Sequence, residues 1–404
     1  MIWNRFKKML GAKSGASTVP PDSNGARSDV EADPSMHEKS SPVEESGPKI
    51  EWLGADANPW YVPILDVRPF TLTMLSTSSD PTNARNAISY GKDDGAAFID
   101  QQPVFERIIP SNLTYAIDGD LADGVLFQPR QMEHKWAIFY REKKIIFVRS
   151  WQRHVFVIAH TEHRDGLLIL KEIHGTFGGA EEDAEFTLRV LDFLLRTHVI
   201  NLPFPAPLPR GMENDPDTAA RWCFAAFGNM AQCATHHHIE FQMPAIPLRT
   251  HSLLHIAVAQ ADRDKVEALL KTGIRADLLA GDGLAPLHWA LATNDLNVME
   301  LLLANGSSVD VRSVEGATPL MNAAQSNNFE GVTFLLRHGA NVDARDQRGF
   351  TALHRAAEMD HQKVAEALIK AGASPFVEAQ GHTPFSLAEK RELTAMVDVL
   401  RTAP

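Results

Sequence analysis

Leu301-Leu302-Leu303-Ala304-Asn305-Gly306, followed ten residues later by Gly316-Ala317-Thr318-Pro319-Leu320-Met321, decides the fold of the C-terminal part of the chain. Both pieces recur. Glycines stand 33 residues apart at Gly273, Gly306, Gly339 and Gly372, and a second set follows at Gly283, Gly316, Gly349 and Gly381, at intervals of 33, 33 and 32. After the second glycine come Ala285-Pro286-Leu287-His288, Thr318-Pro319-Leu320-Met321, Thr351-Ala352-Leu353-His354 and Thr383-Pro384-Phe385. Self-similarity at a fixed period of this length marks a stacked repeat array.

Each residue type in the pattern has a physical role. Gly306, Gly339 and Gly372 close apolar helix ends, where a left-handed backbone after the C-cap favours glycine. Thr318, Thr351 and Thr383 stand at helix N-caps, each followed by Pro or Ala at the first helical position. Ala323-Ala324 and Ala356-Ala357 keep the first helix of a unit thin, so that a second helix such as Val364 to Lys370 packs on it through Val364, Ala367 and Leu368. A lone helix pair of this kind cannot bury its own apolar face and must stack on neighbours.

These residues resemble the ankyrin repeat. The resemblance runs from Thr250 to Pro404 and divides into units 250–282, 283–315, 316–348, 349–380 and 381–404, an all-α solenoid with a cap at each end. It implies a protein partner held by the turn tips and the inner face of the first helices, with no cofactor. Carried onto this chain, the partner-binding positions are Trp289, Glu315, Asn322, Gln325, Arg348, Phe350, Arg355, Glu358 and Met359. A second reading lets Trp289 and Phe350 pack on neighbouring turns, and His288 and His354 read as structural, bonding backbone across the turn. The chain departs from the pattern at Ala285 in place of Thr, Leu291 in place of the second Ala and Met321 in place of His, where a locally looser stack is expected.

The rest of the chain is read from composition and periodicity. With 404 residues, 44% apolar and 22% charged, there is room for two domains and a tail. Residues 11–49 are Ser, Gly, Ala, Pro, Asp and Glu with almost no large apolar side chain, so the tail 1–49 is expected to be disordered. No apolar run reaches 18 residues, and the first ten are too broken by charge for a secretion signal, which predicts a cytoplasmic protein. Ile2, Trp3, Phe6, Met9 and Leu10 share one helical face, so membrane contact is expected only through residues 2–10. The net charge of -12 and the lack of a basic run argue against nucleic acid as a partner. Cys223 and Cys233, without a secretion signal, read as reduced thiols.

Residues 50–247 are expected to form an α+β domain. Trp136 to Tyr140, Lys144 to Arg149, Val155 to Ala159 and Leu167 to Lys171 are short apolar runs with polar turns between them, an antiparallel meander. Helices are expected over Glu181 to Val199 and Pro216 to Thr235, joined by a stiff Pro-rich connector, Leu202 to Pro209. Three sets are candidates for chemistry. Gly175-Thr176-Phe177-Gly178-Gly179 has the look of a phosphate cradle, but Glu181, Glu182 and Asp183 would repel phosphate, leaving a structural loop. Cys233 and His236-His237-His238 lack a second ligand pair at metal spacing, so no metal site is assigned. Arg149, Trp151, Arg153, His154, His160, Glu162 and His163 cluster at the meander's turns without a nucleophile and base partner. The favoured function is a protein-interaction scaffold with the α+β domain as a second binding or structural module. The alternative is an enzyme whose α+β domain is catalytic and whose repeats recruit substrate.

Overall fold

The computed structural model describes residues 50–76, 80–88, 90, 93–230, 233–234 and 246–402. The tail 1–49, with its 2–10 segment, and the Thr235 to His238 run lie outside them.

Strands β1 (Glu51–Leu53) and β2 (Ile64–Asp66), helices α1 (Arg68–Thr71) and α2 (Pro81–Ile88), and strands β3 (Ile108–Pro110) and β4 (Thr114–Ala116) come first. The meander follows as β5 (Gly124–Phe127), β6 (Trp136–Arg141), β7 (Lys144–Arg149), β8 (His154–Arg164) and β9 (Leu167–Gly175). Side chains alternate along a strand, and here both faces are covered, which is why the runs are continuously apolar. Trp136, Ile138 and Tyr140 point into one core with α3 (Ala184–Leu194) and α4 (Pro216–Phe227). Ala137 and Phe139 point into the opposite core with Tyr90 and Phe98.

Both helices are shorter than the periodicity suggests. α3 starts at Ala184 because Asp183 takes the N-cap, accepting from the Glu185 amide at 2.7 Å, and its last turn widens into a π segment, Leu195–Val199. α4 opens on Asp215 as cap with Pro216 at its first position, and stops at Phe227. The Pro-rich segment is more than a connector. Its β10 (Ala206–Pro207) pairs with β11 (Cys233–Ala234) in a small sheet ordered β1-β2-β11-β10, and Phe204 and Leu208 are buried. Proline tolerates such a two-residue edge strand because the edge has no further ladder to feed. Cys223 and Cys233 are both buried and unbonded, with Sγ atoms 2.7 Å apart.

Downstream come β12 (His251–Ser252) and helices α5 (Leu253–Ala259), α6 (Arg263–Lys271), α7 (Pro286–Thr293), α8 (Leu296–Ala304), α9 (Pro319–Gln325), α10 (Phe329–Arg337), α11 (Ala352–Glu358), α12 (Gln362–Lys370), α13 (Pro384–Lys390) and α14 (Thr394–Arg401). They are arranged as pairs. The first helices stack in the order α5, α7, α9, α11 and α13, and one apolar core runs through the whole set. The first pair does not end in solvent. β12 adds antiparallel to β5, which makes it the terminal strand of the large sheet, ordered β12-β5-β6-β7-β8-β9-β3 with β4 also on β9. Leu248 donates to the Ala116 carbonyl at 2.7 Å, Thr250 to Ala122 at 2.7 Å and Leu253 to Asp123 at 3.0 Å. Ile256 of α5 packs on the Phe139 core. Pairing thus continues from the sheet into the first helix pair.

Candidate functional site

The repeat geometry sets the scaffold. Gly273, Gly306, Gly339 and Gly372 take φ of 87°, 91°, 82° and 100°, and the second glycines take 77° to 83°. Each first helix starts with a local bond: Thr383 accepts from the Ser386 amide at 3.0 Å, and the His288 and His354 rings accept through Nδ1 from the amides of Ala285 and Thr351 at 3.2 and 3.1 Å. An accepting Nδ1 places the proton on Nε2, which donates to the next repeat. His255 reaches Leu284 O at 3.1 Å, His288 reaches Ala317 O at 3.1 Å and His354 reaches His382 O at 3.3 Å. Burial pushes His255 down to about 3 and His288 to about 4, so these rings are neutral links. Met321 interrupts the series. There the turns are joined instead by Arg312, which donates to Gly316 O at 2.9 Å and Arg345 O at 2.7 Å, and by the Gln347 amide on Glu315 O at 3.1 Å.

The stack is not looser at Leu291. A Cβ on Gly331 of α10 would lie 2.7 Å from Leu291 Cδ2, so the missing side chain of one helix makes room for the larger one of its neighbour. Asn328 locks the contact by donating to Leu291 O at 2.9 Å.

On the inner side of these helices lies a cleft of about 660 Å³. Glu315, Asn322, Gln325, Arg348, Arg355, Glu358 and Met359 all line it, with Asp282, Val314 and Met321 among their neighbours. Its base is fixed by charge-assisted bonds. The Asp346 carboxylate, 3% exposed, accepts from the amides of Arg348 and Phe350 at 2.9 Å each and from the Arg355 guanidinium at 2.7 Å. Arg391 donates to Glu358 O at 2.7 Å, holding the far rim. Asp282 is open to solvent at the cleft edge yet crowded by protein. Desolvation pushes its carboxyl up to about 6 against the pull of the Leu284 amide at 3.0 Å and the Trp289 indole at 3.1 Å.

Two of the expected contact residues are elsewhere. Trp289 is fully buried, its indole 5.4 Å from the His251 ring and 5.2 Å from the His255 ring, so it is a core residue and offers nothing to a partner. Phe350 is buried against His354 at 5.0 Å, and the guanidiniums of Arg348 and Arg355 cover it at 5.1 and 5.2 Å. The cause lies in the neighbours. Asn322 and Arg355 occupy the helical register of Trp289 and do face the cleft, but in the second repeat β12 and α5 cover that position.

The polar set of the meander does not converge. Arg153 pairs with Asp93 and lies over Tyr90 at 4.6 Å, while Glu162 is held by Arg164 at 2.6 Å and Lys171 at 3.3 Å. Trp151 donates to Met132 O at 2.8 Å, His154 is exposed, and the His160 ring meets His174 at 4.5 Å. His163 bridges the buried Tyr140 hydroxyl at 2.8 Å and the exposed Asp120 carboxylate at 3.0 Å, and burial raises the phenol to about 12. In the Gly175–Gly179 loop the slot of an anion is taken by the chain itself: Glu182 accepts from the Phe177 amide at 3.0 Å and the Thr187 hydroxyl at 2.6 Å. Among the described residues no helix is long and apolar enough to cross a membrane.

A family profile described as ankyrin repeats, three copies, matches residues 223–313, 254–346 and 306–379. No curated protein matches the chain. Left-handed glycines at the repeat period, histidines that tie three of the first helices to the next turn, and the profile match over residues 223–379 agree: the C-terminal part of this chain carries ankyrin repeats.

Proposed function

We propose that this chain is a protein-interaction scaffold, in which residues 250–404 form an ankyrin solenoid that holds a protein partner in the cleft and residues 50–247 serve as a second binding or structural module. The observation that carries this reading is convergence. Seven side chains assigned to partner contact from repeat register line one cavity of about 660 Å³. Val314, Met321 and Met359 give that cavity an apolar part of its lining and Glu315, Arg348 and Glu358 a charged part, a mixture found at protein interfaces. Methionine adapts its shape to what it meets, which suits a recognition surface. A net charge of -12 favours a protein partner over nucleic acid.

The test is paired. Gln325→Arg and Met359→Arg, introduced together in the full chain, fill the cleft from partly exposed positions, so melting should stay unchanged while partners captured from cells by the native protein are lost. Full retention of every captured partner would overturn the assignment.

A further inference from the structure

A second cavity lies in the sheet domain, away from the repeats. Its inner lobe, about 250 Å³, is walled by Trp136, Phe156, Phe177, Trp222 and Phe227. An outer lobe of about 450 Å³ shares Phe186 and Trp222 with it and opens beside Met212. The rings are braced edge to face, Trp136 on Phe156 at 5.7 Å and on Phe177 at 5.1 Å, and Trp222 on Phe227 at 5.4 Å. Such a wall keeps its shape when empty.

Arg149 is the cation of the inner lobe. Its guanidinium lies 4.9 Å from the Trp136 ring centre and donates to Ala226 O at 3.0 Å and to Ala225 O, at the C-terminal end of α4. Those carbonyls fix its plane and offset part of its charge. They do not neutralise it. No carboxylate among the described residues forms an ion pair with Arg149, and desolvation lowers its pKa to about 10. Glu182, which also lines the cavity, is held through Oε1 by the Phe177 amide and the Thr187 hydroxyl and forms no ion pair with Arg149. A largely desolvated guanidinium in no ion pair, stacked on an aromatic wall, selects a flat apolar body carrying an anion. The planar fork has five N–H donors and matches a carboxylate.

We infer that the inner lobe binds a small aromatic carboxylate, with its ring among Trp136, Phe156 and Trp222 and its carboxylate on the remaining N–H groups of Arg149. A free small molecule fits the volume. A chain end with an aromatic last residue carries the same chemistry and is the rival source.

The experiment is calorimetric titration of the full chain with 2-naphthoate, with its neutral isostere 2-naphthamide, and with a short peptide ending in a free Phe carboxylate. Saturable one-site binding of 2-naphthoate, at least tenfold tighter than the amide, is expected. Arg149→Gln should erase that preference. Because this variant can loosen the end of α4, Gln152→Trp, at an exposed position on the same lobe, is the second variant and should weaken 2-naphthoate binding by obstruction. Equal affinity for naphthoate and naphthamide, no saturable binding of naphthoate, or tighter binding of the peptide than of naphthoate would each overturn the inference.

Discussion

Gly339 sits at φ 82° with open space where a Cβ would project, so a side chain there meets strain and not collision. Gly339→Ala should cost about 1–2 kcal/mol and Gly339→Val more, read by denaturant melting; an unchanged midpoint would refute the left-handed assignment. Trp289 is the opposite case. Its complete burial predicts that Trp289→Ala lowers stability by about 3–5 kcal/mol, with any loss of partner binding following from unfolding. The two positions also show how far the sequence could be read. A glycine after an apolar helix end states its own conformation. Register alone put Trp289 beside Asn322 and Arg355, and only the first repeat's β12 and α5, with β12 held on the edge of the other domain's sheet, decide that Trp289 is covered.

Protonation acts at the same scale. His288 at about 4 and His251 at about 4 are depressed below the free imidazole value, and His255 at about 3 lies lower still. The unfolded chain therefore binds more protons than the native one between about pH 6.5 and 4, so stability present at neutral pH is lost as pH falls through this window. Asp282, raised to about 6, acts in the opposite sense, being protonated in the fold before it is in the unfolded chain. With His198 also depressed to about 3, four rings against one carboxyl predict a net slope steeper than that of a single proton, about 1.4 kcal/mol per pH unit. Denaturant melts across the window check this, and His288→Asn should flatten the slope; a flat profile in the native protein would show the rings to be solvated.

Between elements, the Leu291 and Gly331 contact makes a sharper claim. Alanine exceeds glycine in helix propensity by about 1 kcal/mol, yet Gly331→Ala should destabilise by about 1–3 kcal/mol because its methyl meets Leu291 Cδ2 and the Asn328 side chain. In a Leu291→Ala background the cost should shrink but not vanish, because the Asn328 side chain still lies 2.8 Å from that Cβ. A double-mutant cycle reads the coupling directly, and simple additivity would refute it. Strand and helix placement was largely legible, since apolar runs bounded by polar turns locate β6 to β9 and Asp215-Pro216 announces α4. The Pro-rich segment was not. Proline chemistry predicts stiffness, while the pairing of β10 with β11 depends on a partner strand 27 residues further along.

Across the whole molecule the repeats and the sheet share one ladder. A Cβ on Gly124 would lie 2.2 Å from the His251 carbonyl, so Gly124→Val must drive β12 off the sheet edge. Native-state proteolysis should then cut within residues 246–253, where the unaltered chain is protected by pairing. Lys265 on Asp94 at 3.3 Å and Arg249 on Asp118 at 2.8 Å span the same junction and should slow that opening only slightly, being partly exposed pairs. The cleft lies beyond this joint, lined by residues of the second, third and fourth repeats. A photo-crosslinking residue at Gln325, compared with one at the exposed Lys370 on the outer helix α12, tests the central claim most directly. Crosslinking of a discrete protein from Gln325 and not from Lys370 is the predicted result, and crosslinking from Lys370 alone would contradict it.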